Sequence, residues 1–130
     1  MFHTIRAALP HFIHRKAGKI LTVSSMWGQA GGSCEAAYSA AKAAVIGLTK
    51  ALAKELGPSG ITVNCVSPGV IQTDMNAHLD GETMAALAEE TPPGHHRHAG
   101  GCGGGHVYLA SDAARFVTGQ VLAPNGGLVI

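Results

Sequence analysis

Charge, aromatic rings and paired cysteines are all scarce in this 130-residue chain. Charged residues make up 13% and aromatics 5%, against 46% hydrophobic residues. Such a balance excludes intrinsic disorder, which needs few apolar residues and a high net charge. Nine Lys+Arg stand against eight Asp+Glu, a net charge of +1, and no basic run exceeds Arg15-Lys16. That leaves no electrostatic footprint for nucleic acid or an anionic membrane surface. Cys34, Cys65 and Cys102 are odd in number and form no C-x-x-C, so free thiols in a reducing cytosol are expected. No apolar run approaches the ~18 residues of a membrane span. His, Arg and Pro interrupt the N-terminal segment too often for a secretory apolar region. A soluble cytoplasmic protein is the expectation.

The chain is long enough for one domain. Apolar residues at Phe2, Ile5, Leu9, Phe12 and Ile13 predict an amphipathic helix over 2–16, with Pro10 accommodated inside it. Lys19–Ser24 is short, β-branched and apolar, a buried strand, and a Gly/Ser-rich loop follows from Trp27 to Cys34. Residues 35–57 give the strongest helical pattern, with Ala41, Val45, Leu48, Leu52 and Leu56 in register and Gly57-Pro58 as the stop. A second strand spans Gly60–Ser67, and Pro68-Gly69 ends it. Helices over 81–90 and around Val107–Ala110, and a strand beginning at Val121-Leu122, complete an α-β-α-β-α-α-β order. This alternation predicts an α/β fold: a parallel sheet covered on both faces, with right-handed crossovers.

Tyr38 and Lys42 stand four residues apart and so share one helix face. A free phenol titrates near pH ~10, and a neighbouring ammonium favours its phenolate, which makes a tyrosine usable as an acid or base. Any alanine-rich solvated helix can also carry a bare Tyr-x-x-x-Lys. Ser24-Ser25 adds context, because it ends the first strand and ligands of parallel α/β sheets bind beyond the strands' carboxyl ends. A serine hydroxyl there can hydrogen-bond a carbonyl oxygen as charge develops on it, or simply cap the loop. Pro68-Gly69 ends the second strand at the same edge. All three features can therefore converge.

The stretch GKILTVSSMWGQAGGSCEAAYSAAKAAVIGLTKALAKELGPSGITVNCVSPGVIQTDM strongly resembles the short-chain dehydrogenase/reductase family, and YLASDAARFVTGQVLAPNGG resembles that family's ending. The likeness is to 3-oxoacyl-[acyl-carrier-protein] reductases and related ketone reductases. It implies a Rossmann-type doubly wound sheet and an NAD(P)(H)-dependent exchange between a ketone and a secondary alcohol. Ser25 would polarise the substrate carbonyl, Tyr38 would donate the proton, and Lys42 would support Tyr38 and bind the nicotinamide ribose. Pro68, Gly69, Val70 and Ile71 would wall the nicotinamide, with Thr73 near its carboxamide or phosphates. The implied cofactor is NADP or NAD, with NADPH favoured. A free or acyl-carrier-bound carbonyl compound is the implied substrate, and a homotetramer the implied assembly. No nucleic acid, membrane or metal partner is expected. The loop WGQAGGSCEAAY is also similar to that of reductases acting on the 5-aminopentanone modification of elongation factor P, through Trp27, Gln29, Ser33, Cys34 and Glu35.

Two departures stand out. The family's G-x-x-x-G-x-G turn, its N-N-A-G element and its upstream asparagine do not occur before Ser25. Residues 1–130 are therefore expected to be the C-terminal, catalytic half of a dinucleotide-binding domain. A non-catalytic fragment that only oligomerises is the alternative. Secondly, 94–106 crowds together histidines and glycines. His98, Cys102 and His106 would align as metal ligands on a helix. The glycines argue against that helix, and a flexible loop fits the composition better. GC-rich back-translation of His98–Cys102, shifted by one base, yields Thr-Pro-Glu-Ala, so about 95–106 is expected to be read out of frame.

Overall fold

The computed structural model describes residues 1–74, 80–94 and 97–130, with side chains described for all of these except Gln72 and residues 97–102. Helix α1 (Phe2–Arg15) retains Pro10 inside it and ends at Lys16, which takes a left-handed conformation at φ 51°. It leads into β1 (Gly18–Val23), a short helical turn α2 (Trp27–Ala30) and the long α3 (Ala36–Leu56). After a 3-10 turn come β2 (Ile61–Val66), the two-residue β3 (Ile71–Gln72) and α4 (Gly81–Glu90). Then follow β4 (Arg97–His98), α5 (Ala99–Ala110), a second 3-10 turn at Asp112–Ala114, and β5 (Val121–Leu122).

The main sheet has the order β1-β2-β5, all parallel, with Gly18 opposite Ile61 and Val23 opposite Val66. β2 is the central strand, and burial of both its faces follows: Ile61, Val63, Asn64, Cys65 and Val66 are all buried. Near-continuous apolarity is the signature of a parallel strand covered on both sides. On one face Ile20, Ile61 and Val63 pack with Leu52, Ala53 and Leu56 of α3, and Ile5, Leu9 and Phe12 of α1 close over them. On the other face Val66 and Leu21 pack with Leu109 of α5, Ala114 and Val117. Full burial of a leucine such as Leu52 or Leu56 contributes roughly 1.5–3 kcal/mol. Among the described residues β1 has no strand on its outer edge, an arrangement that leaves backbone groups free for pairing.

Polar groups lock this core. Thr22 and Thr49, both buried, share a 2.7 Å hydrogen bond that ties β1 to α3. Asn64, fully buried, donates from Nδ2 to the Val117 carbonyl (2.8 Å) and accepts at Oδ1 from the Gln120 amide (3.0 Å). It thereby fixes the approach to β5.

Three expectations change. The loop after β1 contains a helical turn, α2. The glycine-rich stretch is helical, because α5 begins at Ala99 rather than near Val107. Each glycine costs ~1 kcal/mol of helix stability relative to alanine, but propensity yields where packing demands the element. Buried Leu109 anchors that helix, and Gly105 lies so close to β5 that a Cβ there would stand 2.8 Å from Leu122 Cδ2. The side chains of His98 and Cys102, needed for the metal reading, lie outside the described residues, as do residues 95–96 of the out-of-frame segment. Finally, the chain steps in one direction across β1, β2 and β5, yet α3 and α5 lie on opposite faces. The two connections must then have opposite hands, so they are not both right-handed. Among the described residues, no helix is long and apolar enough to cross a membrane.

Candidate active site

Ser25 follows the carboxyl end of β1, Lys42 of α3 reaches that end, Tyr38 lies one turn before Lys42, and residues 68–73 lie on the chain leaving β2. β1 ends at Val23, and the next two serines diverge in role. Ser24 is buried and donates from Oγ to the Lys42 carbonyl at 2.8 Å, while its amide continues the sheet by donating to the Val66 carbonyl at 2.8 Å. Ser25 is half-buried, and its Oγ accepts from the Trp27 amide at 3.2 Å. That bond occupies a lone pair and leaves the hydroxyl hydrogen available for an acceptor.

Tyr38 lies in the first turn of α3 and Lys42 one turn on, both half-buried. The ammonium of Lys42 sits 5.6 Å from the centre of the Tyr38 ring, within cation–π range. Lys42 Nζ also reaches the Val23 carbonyl at the end of β1, at 3.4 Å. One long contact leaves most of the ammonium's donor capacity unspent.

The Ser25 loop and the Pro68 loop are fastened together. The Met26 amide donates to the Pro68 carbonyl at 2.9 Å, and Gln29 Nε2 donates to the Oγ of fully buried Ser67 at 2.9 Å. Gly28 brings α2 against α3, since a Cβ there would lie 2.6 Å from Ser24 Oγ and 2.8 Å from the Lys42 carbonyl carbon. Pro68, Gly69, Val70 and Ile71 are half-buried, and Thr73 is exposed. Ile71 opens β3, which pairs in parallel with β4. Gly28 against α3 and the Gln29–Ser67 bond are structural supports that composition and spacing did not single out. The only sequence signal for Ser24 is its place at a strand end.

The donor set suits the nicotinamide end of a dinucleotide. An ammonium with spare N–H groups can donate to hydroxyls such as those of a ribose, and Pro68, Gly69, Val70 and Ile71 on the chain leaving β2 are half-buried. No G-x-x-x-G-x-G turn occurs in the 130 residues.

A parallel sheet with helices on both faces, and serine, tyrosine and lysine near its carboxyl edge, defines the class as α/β. Comparison with known proteins narrows this. The family model of enoyl-(acyl carrier protein) reductase matches residues 1–129. An uncharacterized oxidoreductase of Bacillus subtilis, YmfI, is 43% identical over 122 residues, covering 94% of this chain and 50% of that protein. The 3-oxoacyl-[acyl-carrier-protein] reductase FabG of Salmonella typhimurium is 38% identical over 128 residues, covering 98% of this chain and 52% of that one. A crystal structure of a gluconate 5-dehydrogenase from Burkholderia cenocepacia, in complex with NADP and tartrate, superposes with a TM-score of 0.95. It is 34% identical, over 98% of this chain and 51% of that one. The chain belongs to the short-chain dehydrogenase/reductase family. It spans about half the length of the curated relatives it matches.

Proposed function

We propose that residues 1–130 form the catalytic half of an NAD(P)-binding domain that interconverts a ketone and a secondary alcohol. The proposed substrate is a 3-oxoacyl group carried on acyl carrier protein. The observation that carries this reading is the Lys42 ammonium 5.6 Å from the centre of the Tyr38 ring, with Ser25 on the loop whose next residue, Met26, is bonded to Pro68. The likeness to FabG supports the substrate class.

In this mechanism the Ser25 hydroxyl donates to the substrate carbonyl oxygen and orients it. Tyr38 donates its phenolic proton to that oxygen as negative charge develops there. A positioned general acid of this kind contributes roughly 10²–10⁴-fold to the rate. The Lys42 ammonium, held over the ring, stabilises the negative charge left on the phenol oxygen. Ser24, by binding the Lys42 carbonyl, fixes the helix turn from which the ammonium projects. When bound, the reduced nicotinamide supplies the hydride. NADPH is the favoured donor in this reading, and the NADP held by the gluconate 5-dehydrogenase structure is in keeping with it. A homotetramer belongs to the same proposal, and the exposed alanine-rich side of α3 (Ala36, Ala40, Ala43, Ala44, Gly47) offers a surface on which helices can approach closely.

Isotope transfer tests the reading. With NADPH deuterated at the transferable C4 position and a 3-oxoacyl thioester, the hydroxyl-bearing carbon of the product is expected to acquire deuterium. A product without the label, or no product while the cofactor is bound, would refute it.

A further inference from the structure

Three separate loops meet at the C-terminal turn Asn125–Gly127. Asn125 is buried, its Oδ1 accepts from the Gly127 amide at 2.9 Å, and its Nδ2 donates to the Val129 carbonyl at 2.6 Å. Its own amide donates to the Ala123 carbonyl at 2.8 Å. The turn is therefore closed on itself and rigid.

On one side lies the loop leaving β2. A Cβ on Gly69 would stand 2.8 Å from Asn125 Cα, 2.9 Å from its Cβ and 3.1 Å from its carbonyl oxygen, so the two backbones are in direct contact. On the other side lies the end of α4. Gly126, at φ +69°, faces Thr91 so closely that a Cβ would sit 2.6 Å from Thr91 Cγ2 and 3.5 Å from Pro93 Cδ. Gly127, at φ +82°, backs onto Pro92, where a Cβ would lie 3.2 Å from Cγ. Thr91 is buried, and its hydroxyl donates to the Leu87 carbonyl at 2.8 Å, which ties it to the last turn of α4. Both contacts thus end on rigid partners.

We propose that this turn is a positioning element that sets the spacing between the Pro68–Ile71 wall and the C-terminal end of α4. Asn125 and Gly126 act through these two segments and touch no reacting atom. A displacement at Thr91 is transmitted to Gly69 through the turn. The catalytic consequence rests on the proposed carbonyl-reducing function. The mechanical coupling does not.

The test is a cycle of Gly126→Ala, Thr91→Ser and the double variant, read by hydrogen exchange and by steady-state kinetics. Gly126→Ala drives a methyl into Thr91 Cγ2 and also places a side chain at φ +69°, a backbone strain that remains when Thr91 is shortened, so rescue by Thr91→Ser is partial. It is expected to accelerate amide exchange several-fold across 67–74, a segment that Gly126 reaches only through its neighbour Asn125. It is also expected to raise KM for the carbonyl substrate more than it lowers kcat, with an unchanged pH profile, because Tyr38 and Lys42 are untouched. Thr91→Ser removes Cγ2 but keeps the hydroxyl, and in the double variant it restores both readouts towards wild type. Exchange changes confined to 87–94 and 123–130, or a double variant no better than Gly126→Ala, would overturn the proposal. Should Gly126→Ala not fold, Asn125→Asp keeps the acceptor for the Gly127 amide but sets a carboxylate oxygen against the Val129 carbonyl. The same exchange signature is then expected at 67–74, and its absence overturns the coupling. A wild-type protein without carbonyl reduction sinks the functional reading alone, since the exchange result stands independently.

Discussion

Replacing Gly28 with alanine sets local helix preference against close packing. Alanine in the α2 turn should gain roughly 0.5–1 kcal/mol over glycine from backbone entropy. The added Cβ, however, would stand 2.6 Å from Ser24 Oγ, 2.8 Å from the Lys42 carbonyl carbon and 2.9 Å from Lys42 Cβ. Two of these three neighbours belong to α3, whose Leu52, Ala53 and Leu56 are buried against the sheet, so that helix cannot shift alone. Overpacking of this sort costs about 1–3 kcal/mol. Displacing Ser24 Oγ also stretches its 2.8 Å bond to the Lys42 carbonyl, a loss of about 1 kcal/mol. The clash wins: Gly28→Ala should be destabilised by a net ~1–3 kcal/mol, lowering Tm by several degrees. Urea denaturation at constant m-value is the assay, with carbonyl-reducing activity in parallel, since Lys42 is the residue displaced. A variant as stable as wild type, or more so, would refute the claim that α2 presses directly on α3.

Two further outcomes concern the core and the surface. Thr22→Val and Thr49→Val should each cost about 1 kcal/mol, and the double variant less than their sum, because both single variants remove the same shared bond while the remaining hydroxyl keeps only its carbonyl partner, Val45 for Thr49 and Asn64 for Thr22. Thermal and urea unfolding of the four proteins measures this coupling, and strict additivity would contradict the shared hydrogen bond. The hydrogen bond from Lys19, at 3.0 Å, and then that residue's charge hold the Asp112 carboxyl below the usual carboxylate range. A depressed folded-state value stabilises the native protein above the unfolded value of about 3.9, and the contribution disappears as pH falls through the folded value. The stability difference between wild type and Asp112→Asn should accordingly be present at neutral pH, weaken in high salt and vanish in strong acid. A difference that persists in acid would point to packing instead.

Much of the architecture is legible in the sequence because it is local. The alanine-rich spacing of 35–57 delivers α3 at Ala36–Leu56, and the apolar runs deliver β1 and β2 within a residue of their expected ends. Ala41, though in register with the apolar stripe, is exposed, and buried Thr49 takes a core position that a purely apolar pattern passes over. That Tyr38 and Lys42 share a helix face is legible from their spacing, and the place of Ser25 after a strand is legible too, but the roles proposed for the three come from the family resemblance. What was not legible depends on segments distant in the chain. Gly28 against Lys42, Gln29 on Ser67, and Gly69 against Asn125 are tertiary approaches that no periodicity registers. The helix through Gly100–Gly105 was missed for a related reason. Its propensity is poor, and the burial of Leu109 against the sheet and the approach of Gly105 to Leu122 of β5 override it.

In the proposed function Tyr38 supplies the proton in carbonyl reduction at this edge of the sheet. The most direct measurement compares kcat/KM for NADPH-dependent reduction of a 3-oxoacyl thioester between wild type and Tyr38→Phe, which keeps the ring beneath Lys42 and removes only the hydroxyl. The expected loss is roughly 10²–10⁴-fold, the range for a positioned general acid, with the fold unchanged. Equal kcat/KM in the two proteins would contradict it.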